Sequence, residues 1–444
     1  MAGTVVRRNA SCPCGSGRRY KACCGRTGGG DPGSSRLDAT MQAALAAQRD
    51  GLHEIACARY AEVLKRMPGL ADALHMYGVA QYAIGDLDGA LASIAEAVRR
   101  FESWFPQARV NLALVVATEL ARVAPARSEP QYLRYAEMRA TRERAAEAPR
   151  GRVSVVVPSH GHAPYVEAAL ASALEQTRPA DEIVVIDDGS TDGSVARIRA
   201  FAARASGRLR FVAREWRGAA ATINEAIAMS SGDWIAILNS DDRYAPARIE
   251  TMLARIAGAG AQWGFSRSEF IGADGAVVAP RCDGRVDGLR ALQDGLGSFD
   301  SVGLAFVARN AAITTGALFV SRALFDRVGG FCDLRYTHDW EFCLRASLHE
   351  EPVYVPDRLY EYRMHGANTI AARGGGADAE ADEMLREFYA GAMSATPSGN
   401  PFAPLPSVWG PLFWLRAIEG GNAALIPSGA VEALADDLLG REAA

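Results

Sequence analysis

From Val153 onward, short apolar runs alternate with stretches of helical periodicity, and this alternation constrains the fold more than any other feature. The runs "VSVVVP", "EIVVIDD", "RLRFVAREW" and "WIAIL" have the length and content of strands, and helical patterns separate them. Strands that alternate with helices predict a parallel sheet with right-handed crossovers. We therefore expect an α/β domain with a mostly parallel sheet in this part of the chain.

Polar clusters follow three of these predicted strands. Ser159 ends the first strand, Asp187 and Asp188 end the second, and the run from Asn239 to Asp242 follows the fourth. Ligands of such sheets bind beyond the carboxyl ends of the strands. A single acidic strand end is usually a solvated turn, but several at one edge predict a binding site.

The segment "VSVVVPSHGHAPYVEAALASALEQTRPADEIVVIDDGSTDGS" resembles the opening of the inverting family 2 glycosyltransferases, which have the Rossmann-like GT-A fold. The predicted domain covers residues 151–373, about half of the chain. The resemblance implies transfer of a sugar from a nucleotide-diphosphate sugar, commonly UDP-linked, to an acceptor hydroxyl by single displacement. The Gln-X-X-Arg-Trp signature of the processive synthases is absent, so we expect addition of a single sugar.

The resemblance also implies which residues lie beside the nucleotide. The family often has Tyr-Asn where this chain has His160-Gly161, so the contacts to the base are expected to differ from those of relatives. An acid can accept from a base N–H or a ribose hydroxyl, and a glycine lets the backbone approach. The expected nucleotide-binding residues are Ser159, Asp187 or Asp188, Gly189, Arg217 and Asn224.

"NSDD" corresponds to the metal-binding Asp-X-Asp of the family, with Asn239 in the first acidic place. Mg²⁺ or Mn²⁺ held by carboxylates neutralises the charge that develops on a diphosphate leaving group. Asp241 is the first expected ligand and Asp242 the second, and loss of one acid predicts weaker metal binding. The alternative is that these residues are only strand-end acids.

Two downstream motifs resemble the acceptor half of the family. In "THDWEF", Asp339 is the expected general base, because displacement requires a group that takes the proton of the acceptor. Glu341 is an alternative base or a supporting partner, and an N-cap role for Asp339 is compatible with catalysis. In "YEYRMHGANT", His365 is expected to bind the metal or the diphosphate, and Arg363 a phosphate.

Residues 8–26 hold four cysteines within a short, Gly-containing stretch: Cys12, Cys14, Cys23 and Cys24. Four thiolates suit tetrahedral Zn²⁺, which stabilises segments too small for a core. Two disulfides are the alternative, which a reducing compartment disfavours. The stretch resembles the SEC-C motif of many bacterial proteins, which implies a structural zinc site that docks onto partner proteins.

Residues 38–124 show self-similarity at a spacing of 34, with Gly51 matching Gly85 and Ala56 matching Ala90. The pattern resembles tetratricopeptide repeats, which implies binding of polypeptides or self-association. A helical spacer without a ligand is the alternative. A connecting helix is expected at residues 125–150, and a helical, Pro-rich tail at residues 374–444.

The formal charge of −4 gives no reason to expect nucleic acid as a partner. No stretch approaches the roughly 20 apolar residues of a spanning helix, and the start lacks the core of a secretory signal. We expect a cytoplasmic protein, with or without peripheral attachment to the inner membrane. The expected acceptor is a glycan, a lipid-linked glycan or a protein. The alternative is an inactive binding scaffold, suggested by Asn239 and by His338, which replaces a frequent Glu.

Overall fold

The computed structural model describes residues 32–101, 106–144, 151–205, 207–366, 376–427 and 429–440. The fold divides between Val115 and Val116 into two units, and residues beyond Leu434 belong with the first. The domain boundaries drawn from the sequence stay predictions. The four clustered cysteines of residues 8–26, with their expected zinc ion, lie outside the described residues.

The first part of the chain is helical. Its helices are α1 Pro32–Arg49, α2 His53–Arg66, α3 Ala71–Ala83, α4 Leu87–Phe101 and α5 Pro106–Arg144. Gly51 and Gly85, 34 positions apart, both have a left-handed backbone, with φ of 76° and 82°. Ala56 and its match Ala90 are both fully buried. The helical region is therefore present and its turns repeat, while its tetratricopeptide identity stays a prediction.

Helix α5 is longer than the sequence predicts. The sequence predicts that the repeat region ends at residue 124 and that a connecting helix covers residues 125–150, whereas residues 106 to 144 form one helix of 39 residues. The helical conformation continues through the stretch between the two expected elements, so no loop separates them.

The second unit contains an eight-stranded sheet. Its strands are β1 Val153–Ser159, β2 Glu182–Asp188, β3 Leu209–Arg214, β4 Trp234–Ile237, β5 Arg243–Tyr244, β6 Trp263–Ile271, β7 Leu318–Ser321 and β8 Val353–Arg363. The strand order is β3-β2-β1-β4-β7-β6-β8-β5. The helices that follow β1 are α6 Val166–Leu174, α7 Ser194–Arg204, α8 Ala219–Ala228, α9 Arg248–Ile256, α10 Gly284–Gly295, α11 Val302–Ala308, α12 Arg322–Val328, α13 His338–His349, α14 Gly376–Ala392, α15 Pro406–Trp409, α16 Pro411–Glu419 and α17 Ala430–Leu438.

The four strands predicted from the apolar runs are present, and they pair in parallel in the order β3-β2-β1-β4. The far half of the sheet is mixed, because β7 is antiparallel to both β4 and β6, while β6 and β8 are parallel. The expected α/β architecture of the GT-A type is confirmed. Because β1, β2 and β4 run in one direction, their polar carboxyl ends lie at one edge of the sheet.

Apolar side chains pack on both faces of this sheet. Residues of either face are at most 1% exposed: Val155 and Ala236 on one face, Val156 and Ile237 on the other. In the tail, Trp409, Phe413 and Trp414 are also buried, and α16 packs against α11. In the parts of the chain that the structure describes, no helix combines the length and apolar character needed to cross a membrane.

Candidate active site at the carboxyl edge of the sheet

A cleft of about 910 Å³ opens at the edge where β1, β2 and β4 end. Six of the residues singled out from the sequence line it: Ser159, Asp188, Arg217, Asp241, Asp242 and Asp339. Residues from the two halves of the expected transferase domain therefore meet in one cavity. Five other predicted residues, all described, lie beside or behind its walls: Asp187, Gly189, Asn224, Arg363 and His365.

Asp187 organises the turn after β2. Its carboxylate accepts hydrogen bonds from Ser190 N at 2.8 Å and from Ser190 Oγ at 2.7 Å. Ser159 Oγ donates to the same carboxylate at 3.1 Å, which joins the ends of β1 and β2. The side chain is fully buried. Asp187 therefore fixes the floor of the cleft, and Ser159 is the member of this pair that faces the cavity.

Asp188 holds the loop that follows β3. It accepts from Arg217 N at 2.9 Å and from Gly218 N at 2.8 Å, and it pairs with the Arg214 guanidinium. The turn at Gly189 is close to the same loop, because a Cβ there would lie 3.0 Å from Trp216 N. With φ of 80°, this position also favours glycine. The glycine thus permits a close approach between two loops of the protein.

This loop presents Trp216 and Arg217 to the cleft. The Trp216 side chain is 67% exposed, and no motif in the sequence predicts a role for it. The Arg217 side chain is also largely exposed, 3.6 Å from Glu225. An exposed aromatic ring and a cation, held by Asp188 through the backbone, form one lip of the cavity.

The side-chain amide of Asn224 is bonded to the backbone of Phe331. Its Nδ2 donates to Phe331 O at 2.8 Å, and its Oδ1 accepts from Phe331 N at 2.9 Å. Both ends of the amide are used by one backbone segment. Asn224 therefore fastens α8 to the segment that leads towards α13, and its expected contact with the nucleotide stays a prediction.

The side chains of Asp241, His365 and His162 lie together. His365 Nε2 is 3.0 Å and His162 Nε2 is 3.6 Å from the same oxygen of Asp241, Oδ2. Burial opposes ionisation of Asp241, but the hydrogen bond from His365 and the charges of both histidines hold the pKa of its carboxyl below the usual value. Burial lowers the pKa of His162. Two imidazoles and a carboxylate are a donor set suited to a divalent metal ion.

Asp242 lines the cleft, but its carboxylate is held by three donors of the protein. It accepts from Tyr360 Oη at 2.6 Å, from Arg363 N at 2.7 Å and from Asn239 Nδ2 at 3.1 Å. Burial, and next the charge of Asp241, raise the pKa of the Asp242 carboxyl well above its usual value. A carboxylate that already accepts hydrogen bonds from three protein donors has little capacity left to bind a metal ion. The metal role expected of Asp242 stays a prediction, and Asp241 has the better geometry for that role.

The Arg363 guanidinium is directed at backbone carbonyl groups. Its Nε donates to Asp241 O at 2.7 Å, and its Nη1 donates to Gly272 O at 3.1 Å and Ala273 O at 3.2 Å. It also lies over the ring of Tyr165. These contacts fix the backbone at Asp241. The expected bond from Arg363 to a phosphate stays a prediction, and it competes with these contacts.

Asp339 lies in the first turn of α13, and Thr337 rather than Asp339 is the residue that precedes the helix. Asp339 Oδ1 accepts from Trp340 N at 2.8 Å. Burial raises the pKa of the Asp339 carboxyl above its usual value. The alternative base, Glu341, accepts from Arg345 Nη2 at 2.6 Å, in an ion pair with that arginine. Asp339 is therefore the better placed carboxyl for proton abstraction in the cleft.

The segment before Asp339 is held by Glu380 of α14. Its carboxylate accepts from Arg335 N at 2.9 Å and from Tyr336 N, Thr337 N and Thr337 Oγ1 at 2.8 Å each. Burial opposes ionisation, but these donors keep the pKa of Glu380 below its usual value. Glu380 has no role predictable from the sequence, because no motif near it indicates this contact.

Comparison with known proteins gives two family matches. Residues 154–274 match the model described as glycosyl transferase family 2, and residues 8–26 match the SEC-C motif. The first match contains the ends of β1, β2 and β4, including Asp188 and Asp241. It ends before α13 and β8, so the roles of Asp339, Arg363 and His365 depend on their geometry in this chain.

Curated relatives match the same region. The succinoglycan biosynthesis protein ExoU of Rhizobium meliloti is 38% identical over 136 residues, which are 30% of this chain and 37% of ExoU. The Escherichia coli UDP-Glc:alpha-D-GlcNAc-diphosphoundecaprenol beta-1,3-glucosyltransferase WfgD is 29% identical over 133 residues, 29% of this chain and 51% of WfgD. The chain thus spans a third to a half of the length of these relatives.

A solved structure of Staphylococcus aureus TarS, residues 1–349 with UDP-GlcNAc, also resembles this chain. The alignment has 18% identity and a TM-score of 0.46, and it covers 59% of this chain and 72% of that one.

Proposed function

We propose, from the premise that residues 154–274 form a glycosyl transferase family 2 domain, that this protein transfers a single sugar from a nucleotide-diphosphate sugar to an acceptor hydroxyl. The observation that carries the proposal is that Asp241 and Asp339 line the same cleft at the carboxyl edge of the sheet. Two further observations support it: Asp241 lies beside two histidines, and burial raises the pKa of Asp339. The UDP-glucose donor in the name of the relative WfgD supports a UDP-linked donor.

Asp339 is the proposed general base. In a single displacement, the acceptor oxygen bonds to the anomeric carbon as the bond from that carbon to the diphosphate oxygen breaks. The acceptor proton passes to the Asp339 carboxylate, and the nucleoside diphosphate leaves with the bonding electrons. Attack opposite the leaving group inverts the anomeric centre. The raised pKa of Asp339 makes it a stronger base than an ordinary aspartate.

Asp241 and His365 are the proposed holders of a divalent cation, Mn²⁺ or Mg²⁺. When bound, such an ion supplies positive charge that stabilises the departing diphosphate. Arg363 supports Asp241 through the backbone, with its Nε donating to Asp241 O. We place the nucleoside against the lip formed by Trp216 and Arg217 and beside Ser159. Asp188 orients that lip through Arg217 N and Gly218 N.

Release of UDP from UDP-sugars, with and without Mn²⁺, tests the proposal. The expected result is turnover that requires the metal and is lost in Asp241→Asn. A matched control is Asp326→Asn, an acid of α12 that does not line the cleft. Absence of turnover with every nucleotide sugar, in the presence of Mn²⁺, would contradict the proposal and favour an inactive binding scaffold. Asn239 in the first acidic place is the feature that motivates this second possibility.

The N-terminal segments are proposed to direct the transferase to its acceptor from the cytoplasmic side. In this proposal the four cysteines of residues 8–26 hold a structural zinc ion, and the helical region binds a polypeptide partner. We propose that this partner determines which acceptor is modified. The acceptor is a glycan, a lipid-linked glycan or a protein. Cys23→Ser with Cys24→Ser should lower the zinc content measured by elemental analysis and should spare donor hydrolysis. Unchanged zinc content would contradict the zinc assignment.

A further inference from the structure

His162, Asp241 and His365 come from three separate segments and converge on one point. They follow β1, β4 and the end of β8, and their candidate ligand atoms all lie within 4.8 Å of one another. His162 and His365 are 3.6 Å and 3.0 Å from the same Asp241 oxygen, with their ring centroids 5.8 Å apart. We call these three side chains the His-Asp-His trio.

The ring of His162 is oriented by a residue of the "NSDD" motif itself. His162 Nδ1 lies 2.8 Å from Ser240 Oγ, and Ser240 is 1% exposed. When Nδ1–H donates to this hydroxyl oxygen, Nε2 carries the lone pair and faces Asp241. Histidine ligands of metals are commonly held in this way, with the remote nitrogen donating to a fixed acceptor.

The spacing of the trio fits coordination of one ion. With metal–nitrogen and metal–oxygen bonds of about 2.1 Å, neighbouring ligand atoms lie about 3.0 Å apart at a right angle and about 3.4 Å apart at a tetrahedral angle. The two distances to Asp241 Oδ2, 3.0 and 3.6 Å, are close to this range. Small side-chain rotations therefore suffice to place all three groups on a common ion.

We propose that His162 is a direct ligand of the catalytic cation, with Asp241 and His365, and that its imidazole makes the site select Mn²⁺ over Mg²⁺. The proposal rests on the proposed function, and it adds a ligand and a selectivity to that site. Mg²⁺ prefers oxygen ligands and retains its water, whereas imidazole suits transition metals. A site with two nitrogens and one carboxylate oxygen is therefore unsuited to Mg²⁺, and Asp242 adds no oxygen while its carboxylate accepts from Tyr360 and Arg363.

Binding of Mn²⁺ is measured on the full chain by electron paramagnetic resonance, first with Mn²⁺ alone and then with UDP present. His162→Ala should bind Mn²⁺ about tenfold more weakly or worse, because loss of even an outer-shell partner costs 10–100-fold in affinity. His349→Ala is the matched control, since His349 lies at the end of α13 near Ser398 and outside the trio. The four cysteines of residues 8–26 are unchanged in all variants, so a difference in Mn²⁺ affinity between variants reports on the His-Asp-His trio.

Selectivity and ligand identity give two further readouts. His162→Gln offers an amide oxygen of similar reach in place of the imidazole nitrogen. The ratio of Mn²⁺ affinity to Mg²⁺ affinity, measured by competition, should therefore be smaller in His162→Gln than in the wild type. Spin-echo modulation by imidazole nitrogen should fall in His162→Ala and persist in His349→Ala. Melting curves recorded without metal establish that each variant is folded.

Wild-type Mn²⁺ affinity in His162→Ala, unchanged nitrogen modulation, or tighter binding of Mg²⁺ than of Mn²⁺ would each overturn the inference. These outcomes are separable from failure of the proposed function. Metal-dependent UDP-sugar turnover that persists in His162→Ala at wild-type Mn²⁺ affinity leaves the function standing and removes His162 as a ligand. If Mn²⁺ binds through His162 but no nucleotide sugar is turned over, His162 remains a ligand and the proposed function falls.

Discussion

Glu380 accepts two hydrogen bonds from Thr337, one from the backbone N and one from Oγ1, both at 2.8 Å. Thr337 immediately precedes the helix that carries Asp339. A residue of the C-terminal tail therefore fixes the start of the helix on which the proposed base lies. Since Glu380 also bonds Arg335 N and Tyr336 N, it holds three consecutive amides of that segment.

Removing the Glu380 carboxylate should loosen this segment. Hydrogen bonds to charged groups contribute about 1.5–3 kcal/mol each, so Glu380→Ala should speed hydrogen exchange of the amides of residues 335–337. We expect kcat for transfer to fall by about tenfold or more while nucleotide affinity changes little, because the segment holds Asp339 and not the nucleotide lip. Glu383→Ala, an exposed acid of the same helix, is the control. Unchanged amide exchange in Glu380→Ala would contradict the positioning role.

Asp339 sets a pH dependence for transfer. Burial raises its pKa above the ordinary 3.8, and a base must be ionised, so its fraction in the active form falls as the pH drops through the raised pKa. The acid limb of kcat against pH should therefore lie above 3.8. Asp339→Asn should lower kcat by about 10²–10⁴-fold and remove this limb, with nucleotide binding retained.

Glu341→Gln separates the two candidate bases. This change breaks the pair with Arg345, so we expect some loss of thermal stability but the same acid limb as in the wild type. If the limb disappeared in Glu341→Gln and persisted in Asp339→Asn, the base assignment would be wrong.

Trp216 should contribute to binding of the nucleotide. Stacking of a base on an aromatic ring is worth about 1–3 kcal/mol, so Trp216→Ala should weaken UDP binding by roughly five- to 150-fold, measured by isothermal titration calorimetry. Trp216→Phe should retain most of the affinity. Because the ring is 67% exposed, thermal stability should change little. Met393→Ala removes an exposed apolar side chain outside the cleft and is the control. If Trp216→Ala bound UDP as tightly as the wild type, the uracil base would have to lie elsewhere in the cleft.

The sequence predicts weaker metal binding because Asn239 replaces an acid, but the contacts of Asn239 lead us to expect that restoring the acid does not strengthen metal binding. Asn239 Nδ2 donates to Asp242 at 3.1 Å and to Thr314 Oγ1 at 3.0 Å. Asn239→Asp removes this donor and places a second acid against Asp242, which should cost about 1–3 kcal/mol in the free energy of unfolding at neutral pH. Low pH neutralises the added acid, so the deficit in urea unfolding should shrink as the pH falls. Tighter Mn²⁺ binding by Asn239→Asp than by the wild type would contradict the expectation that residue 239 does not bind the metal.

The near half of the sheet was predictable because local patterns determine it. The apolar runs specify β1 to β4, and the parallel direction brings Ser159, Asp188 and Asp241 to one edge. The positions of Asp242 and Arg363 were not predictable in detail. The orientation of the Asp242 carboxylate and the Arg363 guanidinium depends on the packing between β5 and β8. The spacing of residues in the sequence does not determine that packing.

His162 and Glu380 show a second limit of the sequence analysis. Both act through contacts across large separations in the chain, to Asp241 and to the segment before Asp339. The substitution of His160-Gly161 for the usual Tyr-Asn signalled that the β1 loop differs, but not that the second histidine of "SHGH" approaches Asp241. The tail offered no motif, so Glu380 had no signal of its own.

A crystal structure of the full chain with Mn²⁺ and UDP would locate the cation and the nucleotide together, because manganese gives an anomalous signal. We expect an anomalous peak within bonding distance of Asp241 and His365, with the diphosphate on the same ion and the uridine beside Trp216. A structure in which Asp241 and His365 stay hydrogen-bonded to each other, with the manganese or the UDP bound elsewhere, would contradict it.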